Sequence, residues 1–414
     1  MSAGMLLRGA ALADDSRADV RVRGERIEAV AGTGTLEAGD GEAVLDLSGH
    51  VLLPAPAEPH AHLDKAFTAD RFATPAPDLL TAIERWHDHR RGLSVDDIAQ
   101  RARTAALATL ARGATAIRSH VDVGEGIGVR GAEALVAVRD ELRGLVDVQV
   151  VALAYPLAGE EGADNRRLLC EAAELGVDLI GGAAHVTPDP TGDLDAALEI
   201  ASRYGLGVDL HTDERLEASE GLEQLAQRCS AGFRGPATAS HCVSLGMRPP
   251  DAQAAVAAAV ASAGVGVVTC PLTNLLLQGR ELPAATPRGL TAIGALMSAG
   301  VVVAGGGDNV QDVFNPIGCG DPLHTAQLLV AAGQLDVQTA YHLVSDAARR
   351  VMGLPEVRIA AGSPAELLAV AGRSLREAIA TATEDRIVLR GERVLARTRV
   401  QREPAGATAA LEVS

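Results

Sequence analysis

Glu58-Pro-His-Ala-His-Leu-Asp-Lys65 is the stretch on which the fold turns. It ends a short apolar run on polar side chains, and the same event recurs along the chain. Candidate strands end at Pro59-His60, Ser119-His120, Val151-Ala152, Gly181-Gly182, Leu210-His211, Ser240-His241, Thr269-Cys270 and Gly307-Asp308. Helix-like segments with Ala, Leu, Arg and Glu at helical spacing separate them, as in Val95–Ala111, Leu194–Tyr204 and Asp321–Ala332. Eight strand–helix units in about 300 residues predict an α/β fold of the (β/α)8 TIM-barrel type. An open, doubly wound sheet is the weaker reading, because no G-x-G-x-x-G follows the first strand.

The two ends of the chain read differently from the middle. Ala18 to Ile27 alternates apolar and polar residues around a turn at Gly24, a hairpin signal that Ala365–Val370 and Arg386–Val394 repeat in style. These segments predict a small β-sandwich built from both termini, residues 1–54 and 355–402, around a barrel of residues 55–354, with a loose tail at 403–414.

Composition narrows the function. The 414 residues carry 37 Lys+Arg against 54 Asp+Glu, a net charge of −17, which argues against nucleic acid or anionic membranes as partners. Aromatics make up 2%, so Ala, Val and Leu must fill the core. The uncharged run from Ala252 to Gly279 is broken by Gly264, Gly266, Pro271, Asn274 and Gln278, and reads as an Ala-rich helix and a buried strand rather than a membrane span. Five scattered cysteines with no C-x-x-C point to a reducing cytoplasm, not to a disulfide framework. Lys65 is the sole lysine.

In such a barrel the polar residues at strand C-terminal ends face the active site. On a strand, residues i and i+2 share a face, so His60 and His62 can reach one metal ion. With His211 and Asp308 they make three imidazoles and a carboxylate, a plausible site for one divalent ion, Zn2+ or Fe2+, with room for water. Glu214, in His211-Thr-Asp-Glu, can move the water proton without ligating; His241 can polarise the developing oxygen, and Asp308 can also accept a proton. His120 lies behind the ligands at the end of the second strand.

These residues resemble the amidohydrolase superfamily, and within it the cytosine deaminase-like branch. The likeness rests on Glu58-Pro-His-Ala-His-Leu-Asp64, His120-Val-Asp122, Val208-Asp-Leu-His-Thr-Asp-Glu214, Thr238-Ala-Ser-His241 and Pro271-Leu-Thr-Asn-Leu-Leu-Leu-Gln-Gly-Arg280. It implies a metal on His60, His62, His211 and Asp308, Glu214 as proton shuttle, His241 as hydrogen-bonding partner, and a homo-oligomer. It also implies hydroxide attack on an amidine-like carbon of a small nitrogen heterocycle, with loss of ammonia or amine. Gln278 and Lys65 are expected at the substrate, with Asp64 and His120 supporting the ligands. Departures from the cytosine deaminases fall in the pocket: Leu157 stands where that family grips the pyrimidine edge, Asn309 replaces a carboxylate, and Phe314 occupies a tryptophan position. Asp308-Asn309, Pro316 and Gly318-Cys-Gly-Asp321, with Lys65, look closer to the N-isopropylammelide amidohydrolases. The alternatives are therefore hydrolysis of an N-alkyl aminotriazine, ring opening of a cyclic amide or imide and, remotely, a catalytically silent scaffold.

Overall fold

The computed structural model describes residues 4–74, 76–401 and 403. Two compact units divide the chain, one running from Pro54 to Arg358 and the other taking in the segments before and after it.

The larger unit is the barrel. Its eight strands are Ala57–Ala61, Ala116–Asp122, Asp147–Leu153, Leu179–Gly181, Gly207–Thr212, Ala237–His241, Gly266–Thr269 and Val303–Gly305. They pair in sequence order, and every described pairing is parallel. The last strand stops three residues before Asp308, earlier than the sequence pattern predicts. Asp308 nevertheless makes an isolated parallel bridge to Ala61, and its N–H donates to the His60 carbonyl at 2.9 Å, drawing the two ends of the sheet together. Between the first two strands the register shifts, Glu58 matching Ile117 and Ala61 matching Ser119. That is one extra residue in the first strand, a bulge, and Pro59 sits in it, where its missing N–H costs no ladder bond.

Helices form where caps and periodicity agree. Val95–Ala111 starts at Ser94, whose hydroxyl accepts from the Asp97 N–H. Pro190–Tyr204 starts at Asp189 with proline in its first turn, and Gly205 ends it in the left-handed region. The Ala252–Gly279 run covers most of the helix Pro250–Ala263, the strand Gly266–Thr269 and the short helix Pro271–Leu277. No helix among the described residues is long and apolar enough to cross a membrane. One core cluster shows how few aromatics the interior needs: Ala57, Ala116, Val268, Cys270, Ala304 and Ala348 close with Met352 around small side chains.

The second unit is a mixed sheet of eight strands from both ends of the chain. Arg17–Arg23 and Arg26–Gly32 form the hairpin expected around Gly24. The hairpin style read in Arg386–Val394 is found there as well: Arg386–Arg390 and Arg393–Thr398 pair antiparallel around Gly391 and Glu392. Apart from Glu403, the tail expected at 403–414 lies outside the described residues.

Candidate active site

Four side chains converge at the strand ends of the barrel. His62 Nε2 lies 3.1 Å from His211 Nε2 and 3.4 Å from Asp308 Oδ1, and His60 Nε2 lies 3.7 Å from the same oxygen. All four residues are buried. Nitrogen ligands about 2.0–2.1 Å from a tetrahedral ion stand roughly 3.4 Å from one another, so these spacings suit the corners of one coordination sphere.

The protons are arranged accordingly. Asp209 is an acceptor: burial alone would raise its carboxyl, but the His120 ring and the Arg118 guanidinium hold it below the ordinary value. Ser240 donates its single hydroxyl proton to Asp209 Oδ1 at 3.0 Å, so at 2.8 Å from His60 Nδ1 it must accept. His60 therefore carries its proton on Nδ1 and presents a bare Nε2, which has no hydrogen-bond partner among the described residues. Burial and the neighbouring imidazoles push His60 and His211 well below the usual histidine value, and burial followed by Lys65 does the same for His62. Burial, then Asp312, raises Asp308 to about 8, and its Oδ1 has no hydrogen-bond partner among the described residues. Bare, buried donors on one point are costly without a counter-charge. The donor set thus fits a divalent cation.

Backbone strain gathers at the same place. Asp308 (φ 65°), His241 (φ 72°) and Asp213 (φ 50°) adopt the left-handed region, which is unfavourable for side-chain-bearing residues and is retained mostly at functional sites.

Glu214 follows the His211 strand. Burial, reinforced by Asp308, raises its carboxyl well above the ordinary range. Asn274, on the short helix Pro271–Leu277, donates from Nδ2 toward Glu214 Oε1 (3.3 Å) and His241 Nδ1 (3.1 Å). His241 Nδ1 thus accepts, leaving the proton on Nε2, and burial lowers this imidazole to about 3. His241 and Glu214 stand 3.4 Å apart.

A second ionic centre adjoins the first. Lys65, 3% exposed, places its ammonium 2.7 Å from Asp122, 3.3 Å from Asp64 and 3.3 Å from His62 Nδ1. Asp122 also accepts from Trp86 Nε1 (2.7 Å) and Arg90 (2.8 Å). Burial would raise Asp122, yet Lys65 and Arg90 hold it well below the usual carboxylate range.

A cavity of about 40 Å3 lies over the four-residue cluster, walled by Trp86, Tyr155, His185, Leu277, Asn309 and Phe314 among others. Leu79, Val186, Leu277 and His185 separate it from an outer cavity of about 390 Å3. Asn309 and Phe314 therefore stand where substrate contacts are expected, although Asn309 spends its Nδ2 on Asp312 at 2.6 Å. A Cβ on Gly318 would lie 1.9 Å from the Asn309 carbonyl, so only glycine lets this loop fold back on the site. Two expectations are corrected. Leu157 turns away beyond the strand end at Leu153, its N–H drawn to Asp193 Oδ1, and lines a separate cavity of about 450 Å3; Tyr155 faces the site instead. Gln278 faces the outer cavity and donates its amide to the Glu214 carbonyl at 3.2 Å, bracing that loop. His120 and Asp64 sit behind the cluster, the His120 ring 4.2 Å from His60. The sequence reading missed Asn274, Ser240, Asp209, Arg90 and His185; for Ser240 and Asp209 a signal existed, a polar residue at an inward position on a barrel strand.

A model of the amidohydrolase family matches residues 90–397. The chain belongs to the amidohydrolase family. This amidohydrolase is 32% identical to a pterin deaminase of Rhizobium rhizogenes, over 92% of its own length and 88% of the relative's. It superposes on 5-methylcytosine deaminase from Klebsiella pneumoniae with a TM-score of 0.88 at 27% identity, covering 97% of this chain and 100% of that one. N-isopropylammelide isopropylaminohydrolase from Burkholderia multivorans gives 0.83 at 31%, covering 95% and 98%. The amidohydrolase is accordingly a hydrolase of C–N bonds other than peptide bonds.

Proposed function

We propose that the protein is a metal-dependent hydrolytic deaminase of a small nitrogen heterocycle, converting an amidine-like ring carbon C–NHR into C=O with release of ammonia or amine. One observation carries the reading: His60, His62, His211 and Asp308 are buried together, with His60 Nε2 and Asp308 Oδ1 bare among the described residues, beside Glu214, a buried carboxyl of raised pKa. The named activities of its relatives, on pterin, 5-methylcytosine and N-isopropylammelide, share this change at a ring carbon.

The four residues would hold one divalent ion, Zn2+ or Fe2+, whose chemistry is to make water nucleophilic at neutral pH and polarise the substrate. The remaining work belongs to the side chains. Glu214 receives the proton of the attacking water and hands it to a ring nitrogen or to the leaving amine, a role suited to a carboxyl of raised pKa. His241 donates from Nε2 to the oxygen that forms on the attacked carbon. Asn274 keeps both in register. Leu79, Val186, Leu277 and Phe314 exclude bulk water. Five free cysteines suit a reducing cytoplasm as the place of action. The test is a panel of aminopyrimidines, aminopteridines, aminotriazines and cyclic imides on metal-replete protein, assayed for ammonia or amine release; release from none of them overturns the reading.

A further inference from the structure

Of the polar groups walling the inner cavity, most are already committed. Lys65 and Asp122 satisfy each other, Asn309 donates to Asp312, and Glu214 and His241 share Asn274. His185, on a single helical turn after the fourth strand, is different. Its Nδ1 lies 3.2 Å from the backbone carbonyl of His211. A carbonyl oxygen only accepts, so Nδ1 carries the proton and Nε2 of the neutral ring is a lone-pair acceptor. That nitrogen is buried and has no hydrogen-bond partner among the described residues. The ring walls both the inner cavity over the four-residue cluster and the outer one beside it. An unsatisfied buried acceptor is rarely kept in a native structure unless something completes it.

We propose that His185 is a substrate-binding residue whose Nε2 accepts a hydrogen bond from a ring N–H of the heterocycle, so that the enzyme selects rings with an amide-type N–H over their N-alkylated forms. The inference rests on the deaminase reading and adds to it which edge of the ring is recognised. The apolar side chains Leu79, Val186, Leu277 and Phe314 cover the ring without distinguishing one heterocycle from another, whereas an acceptor at a fixed point does.

The experiment is a double cycle of enzyme and substrate. Wild type, His185→Ala and His185→Asn, each metal-replete, are assayed with cytosine and pterin and with the ring N-methyl derivative of each. Calorimetric titration of the same compounds into Glu214→Gln protein, with and without His185→Ala, measures binding without turnover. The expected result is a loss of about 10- to 100-fold in kcat/KM for the N–H ring in His185→Ala, carried mainly by KM. The N-methyl derivative, already poor with wild type, changes less than about threefold. His185→Asn, which keeps an acceptor oxygen, recovers part of the loss. Bound metal stays at the wild-type level, which a ring merely propping His211 would not guarantee. Equal losses on both members of a pair, no loss on either, or no binding of either parent ring to the Glu214→Gln protein overturns the inference. These outcomes differ from failure of the deaminase reading, in which wild type releases no ammonia or amine from any compound of the wider panel.

Discussion

Two buried ionic centres share the barrel mouth, and they are built on opposite plans. Around Asp122 every charge meets its opposite: Lys65, Arg90 and Trp86 donate into one carboxylate, and Asp64 lies 3.3 Å from the same ammonium. Around Asp308 the groups lack such partners: His60 Nε2 and Asp308 Oδ1 are bare among the described residues, and His62 and His211 turn their Nε2 atoms, 3.1 Å apart, toward the same point. Burial acts on both. In the first, neighbouring cations overcome it and keep Asp122 ionised; in the second, it drives the imidazoles neutral and raises Asp308 to about 8. A closed centre is structural material, while an open one of this composition needs an ion to complete it.

The comparison makes divided predictions. His211→Ala, which removes a donor from the open centre, should abolish both metal binding and turnover; bound metal near one equivalent, by elemental analysis, would break the distinction. Glu214→Gln should cut turnover by at least about 1,000-fold while the metal stays bound, because the side chain moves a proton and ligates nothing. In the closed centre the order reverses. Asp122→Asn leaves Lys65 and Arg90 without their shared anion and should cost about 3–5 kcal/mol of stability in denaturant unfolding, with metal content retained in the folded fraction. Lys65→Arg puts a planar fork where a compact ammonium meets Asp122, Asp64 and His62 at once. A loss of roughly 1–3 kcal/mol is expected from overpacking, and an unchanged midpoint and kcat/KM would make the sole lysine an accident of composition.

The smallest effect lies at the rim. Hydrogen bonds from Arg71, reinforced by Arg101, lower Asp97 to about 2. A folded pKa below the unfolded value of about 3.9 stabilises the protein above that pH, and the contribution disappears as pH falls through 2. Asp97→Asn should therefore lower the thermal midpoint slightly at pH 6, by progressively less as pH falls toward 2, and not at all well below it. A midpoint difference that persists at low pH would show packing, not charge, at this position.

The sequence made the barrel and the open centre readable for one reason. Catalytic side chains at strand ends interrupt apolar runs, so His60, His120, His211 and His241 mark both the topology and the chemistry. The closed centre was less legible. Asp122 stood in view within His120-Val-Asp122, but Trp86 and Arg90 come from the helix Leu79–Arg90, whose pattern says nothing of its neighbours in space. The pocket wall was misread where the chain leaves regular structure: Leu157 follows a strand end, and alternation gives no guide once the strand has stopped at Leu153. His185 escaped for the same reason, lying on a single turn beyond the short strand Leu179–Gly181. Both terminal hairpins were plain, because in each a Gly-Glu pair interrupts the alternation, after Arg23 and after Arg390.

The most direct test of the central claim is the mass of the product formed by metal-replete protein from the heterocycle it turns over fastest. The account predicts a ring in which one exocyclic NH or NHR has become O, with ammonia or amine released in equal amount. A product that has gained water through an opened ring, with no nitrogen lost, would contradict it.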